Sequence, residues 1–470
     1  MTALETDYLI VGSGAVGLAF ADTLIDESDA DVIIVDRHGK PGGHWNDAYS
    51  FVALHQPSAF YGVNSTPLGT NRKDAIGVNT GLYELASGPE VSGYFDSVMR
   101  QKLLPSGRVR YFPMSDYRGD GRFVSLLSGQ ETQVTARRKT VDATYYGTTV
   151  PSTHSPRYSV SDDVRLVTPN ALPQLWMDQT IKKSGECPRH FVIIGAGKTA
   201  MDAAVWLLSS GADPQAISWV MPRDSWLLNR LRTQPGLEFF EETIGGQAAL
   251  MESFAQAESL DDLFSRLEAA DVMLRIYPDV KPSMFHYATI SKGEIETLRC
   301  ITNVIRMGRV KSIDASGLTL DEGHAPMGEG TLYIDCTASA VDPRPAIPIF
   351  NGNLITPQLV RVPQPAFSAA LVAFVEVHYP DDQAKNQLCR TVPFPHSLAH
   401  YPACNLANMM NQMAWMQDPR VSKWINQSRL DGFGKVIAAI DKGDETKMAI
   451  LNRLRGNAMA AVANLQTLMA

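Results

Sequence analysis

Two short glycine-rich sets carry the first chemical signal in this sequence. Gly12, Gly14 and Gly17 stand in G-x-G-x-x-G spacing within YLIVGSGAVGLAFADTLIDE. Gly195, Gly197 and Ala200 repeat the pattern as G-x-G-x-x-A within FVIIGAGKTAMDAAVWLL. The first glycine of such a set makes a tight turn, the second lets backbone approach a pyrophosphate, and the third position lets a helix pack closely on its strand. Alanine is still small enough for that third place. The chemistry implied is dinucleotide binding, twice in one chain. Asp36 follows Gly12 by 24 residues, where a carboxylate reaches a ribose. The second unit ends differently, in Met221, Pro222 and Arg223. An arginine binds a 2′-phosphate that a carboxylate would repel, so this site reads as one for NADPH rather than NADH. The alternative is that Asp224 takes the ribose and Arg223 is solvated. Arg230 and Arg232 stand nearby as further phosphate ligands.

These residues need strands and helices to position them. Tyr8–Val11 is a short apolar run suited to a buried parallel strand. A helix over 15–27 would point its N-terminus at the phosphates. DVIIVD then supplies the second strand and ends on Asp36. In the second unit Phe191–Ile194 is the strand, 199–208 the helix, Gly211 a left-handed cap, and AISWVMPRDSW the next strand.

Just beyond Asp36 comes RHGKPGGHWNDAYSF. With its Gly42, Gly43 and Trp45, the chain resembles the flavin-containing monooxygenases and the wider two-dinucleotide flavoprotein superfamily. The resemblance extends in order along most of the chain, through VDATYYG and LYIDCTASAVDPRP. At these two places Tyr145 and a residue at or near Ser339 replace the glycine of the family's A-T-G. It implies FAD on the first fingerprint and NADPH on the second, with Gly43 and Trp45 lying along the flavin side of the FAD. It also implies a reduced flavin that meets molecular oxygen, forms a C4a-(hydro)peroxide and oxygenates a small organic substrate. Gln56, flanked by His55, is the nearest positional analogue of an asparagine that holds nucleotide and peroxide in the family. Asn64 is a further candidate. His55 would stabilise charge or move a proton. The family's F-x-G-x-x-x-H-x-x-x-[WF] fingerprint is matched only in part, by His154 and Tyr158.

The expected fold is therefore α/β: two Rossmann-like dinucleotide-binding domains, the second inserted in the first, with a helical C-terminal region. Residues 1–187 form the first part of the FAD domain, with 106–146 read as short strands and a meander. Residues 188–330 form the NADPH domain, with a helical insertion near 246–276. Residues 331–470 return to the FAD domain and end in helices, whose methionines at 409–416 fill core or line an apolar pocket.

A chain of 470 residues with 44 % hydrophobic and 20 % charged content has the composition of a globular protein with more than one domain. A net charge of −8 gives no overall attraction for nucleic acid or an anionic membrane. No secretory signal or membrane span is expected, and five scattered cysteines fit reduced thiols in the cytoplasm. No C-x-x-C pair is present, His396, His400 and Cys404 do not have a specific ligand spacing, and no metal is expected. A homodimer is left open. Two other functions stay in view: a flavin oxidoreductase passing electrons to a quinone, protein or small acceptor, and a nonenzymatic dinucleotide-binding sensor.

Overall fold

The computed structural model describes residues 2–339, 341 and 343–469; Ala340 and Asp342, within the segment compared with the family's second A-T-G, lie outside them. The apolar run of the first fingerprint is the end of a longer strand, Thr2–Val11, at the centre of a mixed sheet whose middle strands run parallel. Val32–Val35 and then Val109–Phe112 lie on one side of it; Glu131–Asp142 and then Leu354–Ile355 lie on the other. The strand order thus reverses beside Thr2–Val11, and such a reversal opens a ligand crevice at the strands' carboxyl ends. The glycines of the first fingerprint sit there, and the helix that follows spans Ala15–Glu27.

The second sheet repeats this plan. His190–Ile194 is central, with Ile217–Val220 and Asn303–Ile305 on one side and Thr331–Asp335 and Arg165–Val167 on the other, all parallel. Its helix is Lys198–Ser209, and Gly211 beyond it has φ +92°. The chain leaves the first sheet after Asp142, builds the second, and returns at Phe350, so the second domain is inserted in the first. The second sheet takes one edge strand from 165–167, upstream of residue 188, and another strand from 331–335, downstream of 330. Arg165–Val167 has three residues of intermediate burial and no periodicity to read.

The expected insertion begins earlier than 246. Its helices are Phe240–Gln256 and Leu260–Ala269, and Met273–Leu274 is a strand. Phe254, Phe264 and Leu267 share a core with Tyr401, Met409, Ala461 and Leu465 of the C-terminal helices. Met409 is buried, but Met416 is 73 % exposed, so this methionine group does not wall one pocket.

The C-terminal region also grips the first domain. Arg429 donates to three carbonyls of one loop, Ala59 and Val63 at 2.8 Å and Tyr61 at 2.6 Å. Ser428 Oγ donates to Asn64 Oδ1 at 2.8 Å. An Arg429→Met variant would leave three partly buried acceptors without their donor. Chemical denaturation should show it less stable by about 3 kcal/mol, with unchanged far-ultraviolet circular dichroism.

Candidate functional site

The first glycine turn is built by contacts that exclude side chains. Gly12 has φ +99° and its N–H donates to Val35 O at 2.8 Å. A Cβ on Gly17 would stand 2.0 Å from Gly12 O, so the helix can approach this closely only without one. Gly14 is the helix N-cap and supplies no side-chain cap; the first turn holds no acid. Helices opened by Ser87, Ser259, Ser291 or Asp381 have their first amides bonded by the capping side chain. Here those donors face outward at the positive end of the helix dipole, an arrangement suited to a pyrophosphate. Gly42 N–H donates to Ser13 O at 2.9 Å, and a Cβ on Gly43 would stand 2.9 Å from Gly14 Cα. The G-G-x-W loop is therefore laid directly on the glycine turn. Trp45 Nε1 donates to Tyr61 OH at 2.8 Å, and with Lys40, Asn46, Tyr49, Ser92 and Asp96 the indole lines a cleft of about 450 Å³.

Asp36 is buried at the tip of the second strand. Its Oδ2 accepts from the backbone and the hydroxyl of Ser13, the latter at 2.9 Å. Its Oδ1 accepts from His38 N at 2.7 Å and lies 2.9 Å from His38 Nδ1. His38 Nε2 in turn is 2.7 Å from Asp47 Oδ2. The Asp36 carboxylate, with help from Asp47 and against partial burial, raises His38 to about 9. A charged imidazole thus ties the ribose-position acid to the G-G-x-W loop, a link with no signature in the spacing of the sequence.

The second turn follows the same construction. Gly195 has φ +130°, its N–H donates to Val220 O at 3.1 Å, and its carbonyl accepts from the buried Trp219 indole at 2.7 Å. A Cβ on Gly195 would stand 2.6 Å from Cys336 O. Gly197 is an uncapped N-cap, and a Cβ added to it would meet open space. Ala200 is fully buried under the helix. Each turn also leans on an Asp-x-Thr bend of a neighbouring strand. Thr144 donates N and Oγ1 to Asp142 Oδ1 at 2.9 and 2.6 Å; Thr337 does the same to Asp335 Oδ1 at 3.0 and 2.6 Å. The repeat D-A-T and D-C-T was the available sequence signal for these positions. His154 Nε2 lies 3.1 Å from Thr337 Oγ1.

At the second strand tip Arg223 sits beside Arg309, and among the described residues no carboxylate pairs with it. Asp224 is engaged: its two oxygens face Arg306 Nε and Nη2 at 2.8 and 3.0 Å. Arg230 and Arg232 differ from their reading as phosphate ligands. Arg232 donates to the carbonyls of Asp271, Glu242 and Ala270. Arg230 is only 1 % exposed and binds inward: Nε to His55 O at 2.8 Å, Nη1 to Asn79 Oδ1 at 3.1 Å and to Glu294 Oε2 at 2.6 Å.

That arginine belongs to a polar seam between the two domains. Tyr49 OH donates to Asp202 Oδ2 at 2.7 Å, and Phe51 stacks on Trp206 with centroids 5.0 Å apart. Both partners lie on the helix of the second fingerprint. Lys198, the first residue of that helix, pairs with Asp202 and, at 2.9 Å, with Glu294. Burial alone would raise Asp202 and lower Lys198, but the pairing outweighs it, so both stay charged. His55 stands half-exposed at the edge, Nε2 3.9 Å from Asp202 Oδ2, and burial lowers its pKa. Gln56 beside it has no hydrogen-bond partner among the described residues. Asn64 instead faces the C-terminal region through Ser428. Among the described residues no group of three or more His, Cys, Asp or Glu could hold a metal, and no helix is long and apolar enough to cross a membrane.

This arrangement is the fold of the flavin-containing monooxygenases and related two-domain flavoprotein oxidoreductases. Residues 10–64 match the NAD(P)-binding Rossmann-like domain family. The polycyclic ketone monooxygenase of the thermophilic fungus Thermothelomyces thermophila superposes with TM-score 0.52 at 14 % identity, over 97 % of this chain and 89 % of that one. An oxidized steroid monooxygenase bound to NADP superposes with TM-score 0.50 at 14 % identity, over 79 % of this chain and 85 % of that one. In sequence, the uncharacterized protein Rv2000 of Mycobacterium tuberculosis strain H37Rv is 47 % identical over 428 residues, 91 % of this chain and 78 % of that protein. The chain belongs to the family of that mycobacterial protein.

The His38 bridge has a pH signature. Because His38 is raised in the folded chain, its contribution is full below the ordinary histidine range and lost as pH rises through about 9. Thermal melts of wild type and His38→Gln should differ most near pH 6, by on the order of 1–2 kcal/mol, and converge by about pH 10.

Proposed function

We propose that the chain is an FAD- and NADPH-dependent oxidoreductase of the oxygenating kind, with the domain of the first sheet holding FAD and the inserted domain of the second sheet, which includes strands 165–167 and 331–335, holding NADPH. The observation that carries this reading is the pair of uncapped glycine-opened helices, one per sheet, each with its first-turn amides left for an anion. FAD fits the first: Gly12, Gly14 and Gly17 leave backbone for its pyrophosphate, Asp36 stands at the ribose position, and Gly43 and Trp45 close the turn from above. NADPH fits the second, where Gly197 borders open space and Arg223 is a cation with no carboxylate on it among the described residues. Bound together, these groups supply hydride transfer to a flavin and activation of molecular oxygen. In balance, NADPH, a proton, oxygen and an organic substrate become NADP⁺, water and the oxygenated product.

The chain's own residues bind, orient and exclude water around that chemistry. Arg223 and Arg309 receive the 2′-phosphate. Lys198 does not reach outward to a phosphate, because Asp202 and Glu294 hold its ammonium inward. Phosphate binding at the second turn therefore rests on backbone amides and on Arg223. Gln56 offers an amide with no partner among the described residues, ready to donate to substrate or cofactor. His55, half-exposed beside it, holds or moves a proton at Nε2.

Anaerobic rapid mixing of the FAD-loaded protein with NADPH, followed by oxygen, tests the reading. Flavin bleaching with NADPH and product-coupled oxygen uptake are expected; bleaching without coupled oxygenation would favour electron transfer to another acceptor. No bleaching with NADPH or NADH would overturn the proposal. Arg223→Gln should raise KM for NADPH about tenfold or more and leave KM for NADH within about twofold.

A further inference from the structure

We propose that Asp202 is a positioning residue for His55, so that the helix of the second nucleotide site sets the orientation and protonation of a residue on the first-domain loop. Its role as part of a reaction rests on the oxidoreductase reading above; the pairing itself does not. Asp202 lies one helical turn beyond Lys198, and its carboxylate is 13 % exposed against 38 % for the His55 side chain. The arrangement is an imidazole open to solvent and backed by a carboxylate that is itself held. Lys198 fixes Oδ1, and the Tyr49 hydroxyl donates to Oδ2 at 2.7 Å, the oxygen that also faces His55 Nε2 at 3.9 Å. The His55 backbone is fixed independently, because its carbonyl accepts from Arg230 Nε at 2.8 Å. The ring alone is left to turn toward or away from Asp202.

The charged groups around His55 come from several elements and act in opposite senses. Asp202 favours the imidazolium. Partial burial, Lys198 on the same helix, and Arg230 on the turn after Ser225–Asn229 disfavour it. Glu294, across Lys198 on the helix Lys292–Leu298, neutralises that lysine and Arg230 together. The Tyr49 hydroxyl competes with His55 for Oδ2. Two substitutions therefore push His55 in opposite directions. Asp202→Asn removes the carboxylate that stabilises the cation, and Tyr49→Phe frees Oδ2 to accept from it. A merely structural role would not produce shifts of opposite sign.

The test is a histidine titration by ¹H–¹³C NMR on the full chain without cofactor, with His55 assigned by loss of its signal in His55→Gln. Asp202→Asn should lower the His55 pKa by about half a unit or more, and Tyr49→Phe should raise it by a smaller amount. Should Asp202→Asn fail to fold, Tyr49→Phe decides alone. Shifts within about 0.2 units in every folded variant, or both variants moving the same way, would overturn the pairing. In the loaded wild type, the His55-dependent limb of the pH profile for NADPH oxidation should move with the NMR value. If wild type oxidises no NADPH while the NMR shifts hold, the oxidoreductase reading fails and the dyad stands.

Discussion

Arg230 is a cation that is almost wholly removed from water, and the junction of the two domains is arranged around satisfying it. Leaving such a charge unpaired costs on the order of 3–5 kcal/mol. Its four partners come from three separated stretches: the carbonyl of His55, the amide of Asn79, and, close together in sequence, the carbonyl of Thr289 and the carboxylate of Glu294. Two belong to the first domain and two to the second. The guanidinium is therefore satisfied only when the domains are docked, and docking fixes the loop that carries Tyr49, Phe51, His55 and Gln56. Glu294 then binds Lys198, Lys198 binds Asp202, and Asp202 receives Tyr49, so the first turn of the second nucleotide helix is continuous with that loop. The chemistry proposed for this protein takes place on two cofactors that such a junction would keep in register.

The two nucleotide sites are variations on one design. Each has a positive-φ glycine whose amide bonds the neighbouring strand, a helix without a side-chain cap, and an Asp-x-Thr bend supporting the turn from the adjacent strand. They differ at the strand tip. Asp36 is locked by Ser13 and a charged His38, whereas Arg223 is left with another arginine beside it. A fixed carboxylate selects ribose hydroxyls and an unpaired guanidinium selects a phosphate. Two similarly built turns thus present opposite charges at their strand tips.

Much of this was legible because glycine spacing and apolar period report local geometry directly. The first helix spans the expected 15–27, and the second, Lys198–Ser209, is one residue longer at each end than expected. The strand Glu131–Asp142 was legible only in part. It does form the expected meander, antiparallel to Arg122–Ser125, which pairs in turn with Ser115–Gly119; its parallel pairing with the central strand was harder to read, because it carries Arg137, Arg138 and Lys139. Those charges are accommodated by Asp7, Asp382 and Glu376, carboxylates far away in sequence. The seam was harder still. Arg230 looks like a phosphate ligand when its sequence neighbourhood is all that is known, because its acid partner is more than sixty residues away. The glycine turns obey local steric rules; the seam obeys electrostatic rules that only the folded chain enforces.

The central claim is that one chain holds two different dinucleotides at once, on two similar turns. Sequential titration tests it most directly: FAD into apoprotein followed by flavin fluorescence, then NADP⁺ into the FAD complex followed by calorimetry. The account predicts one FAD and one NADP⁺ per chain, bound together, with no release of flavin. Displacement of FAD by NADP⁺, or saturation by a single nucleotide per chain, would contradict it.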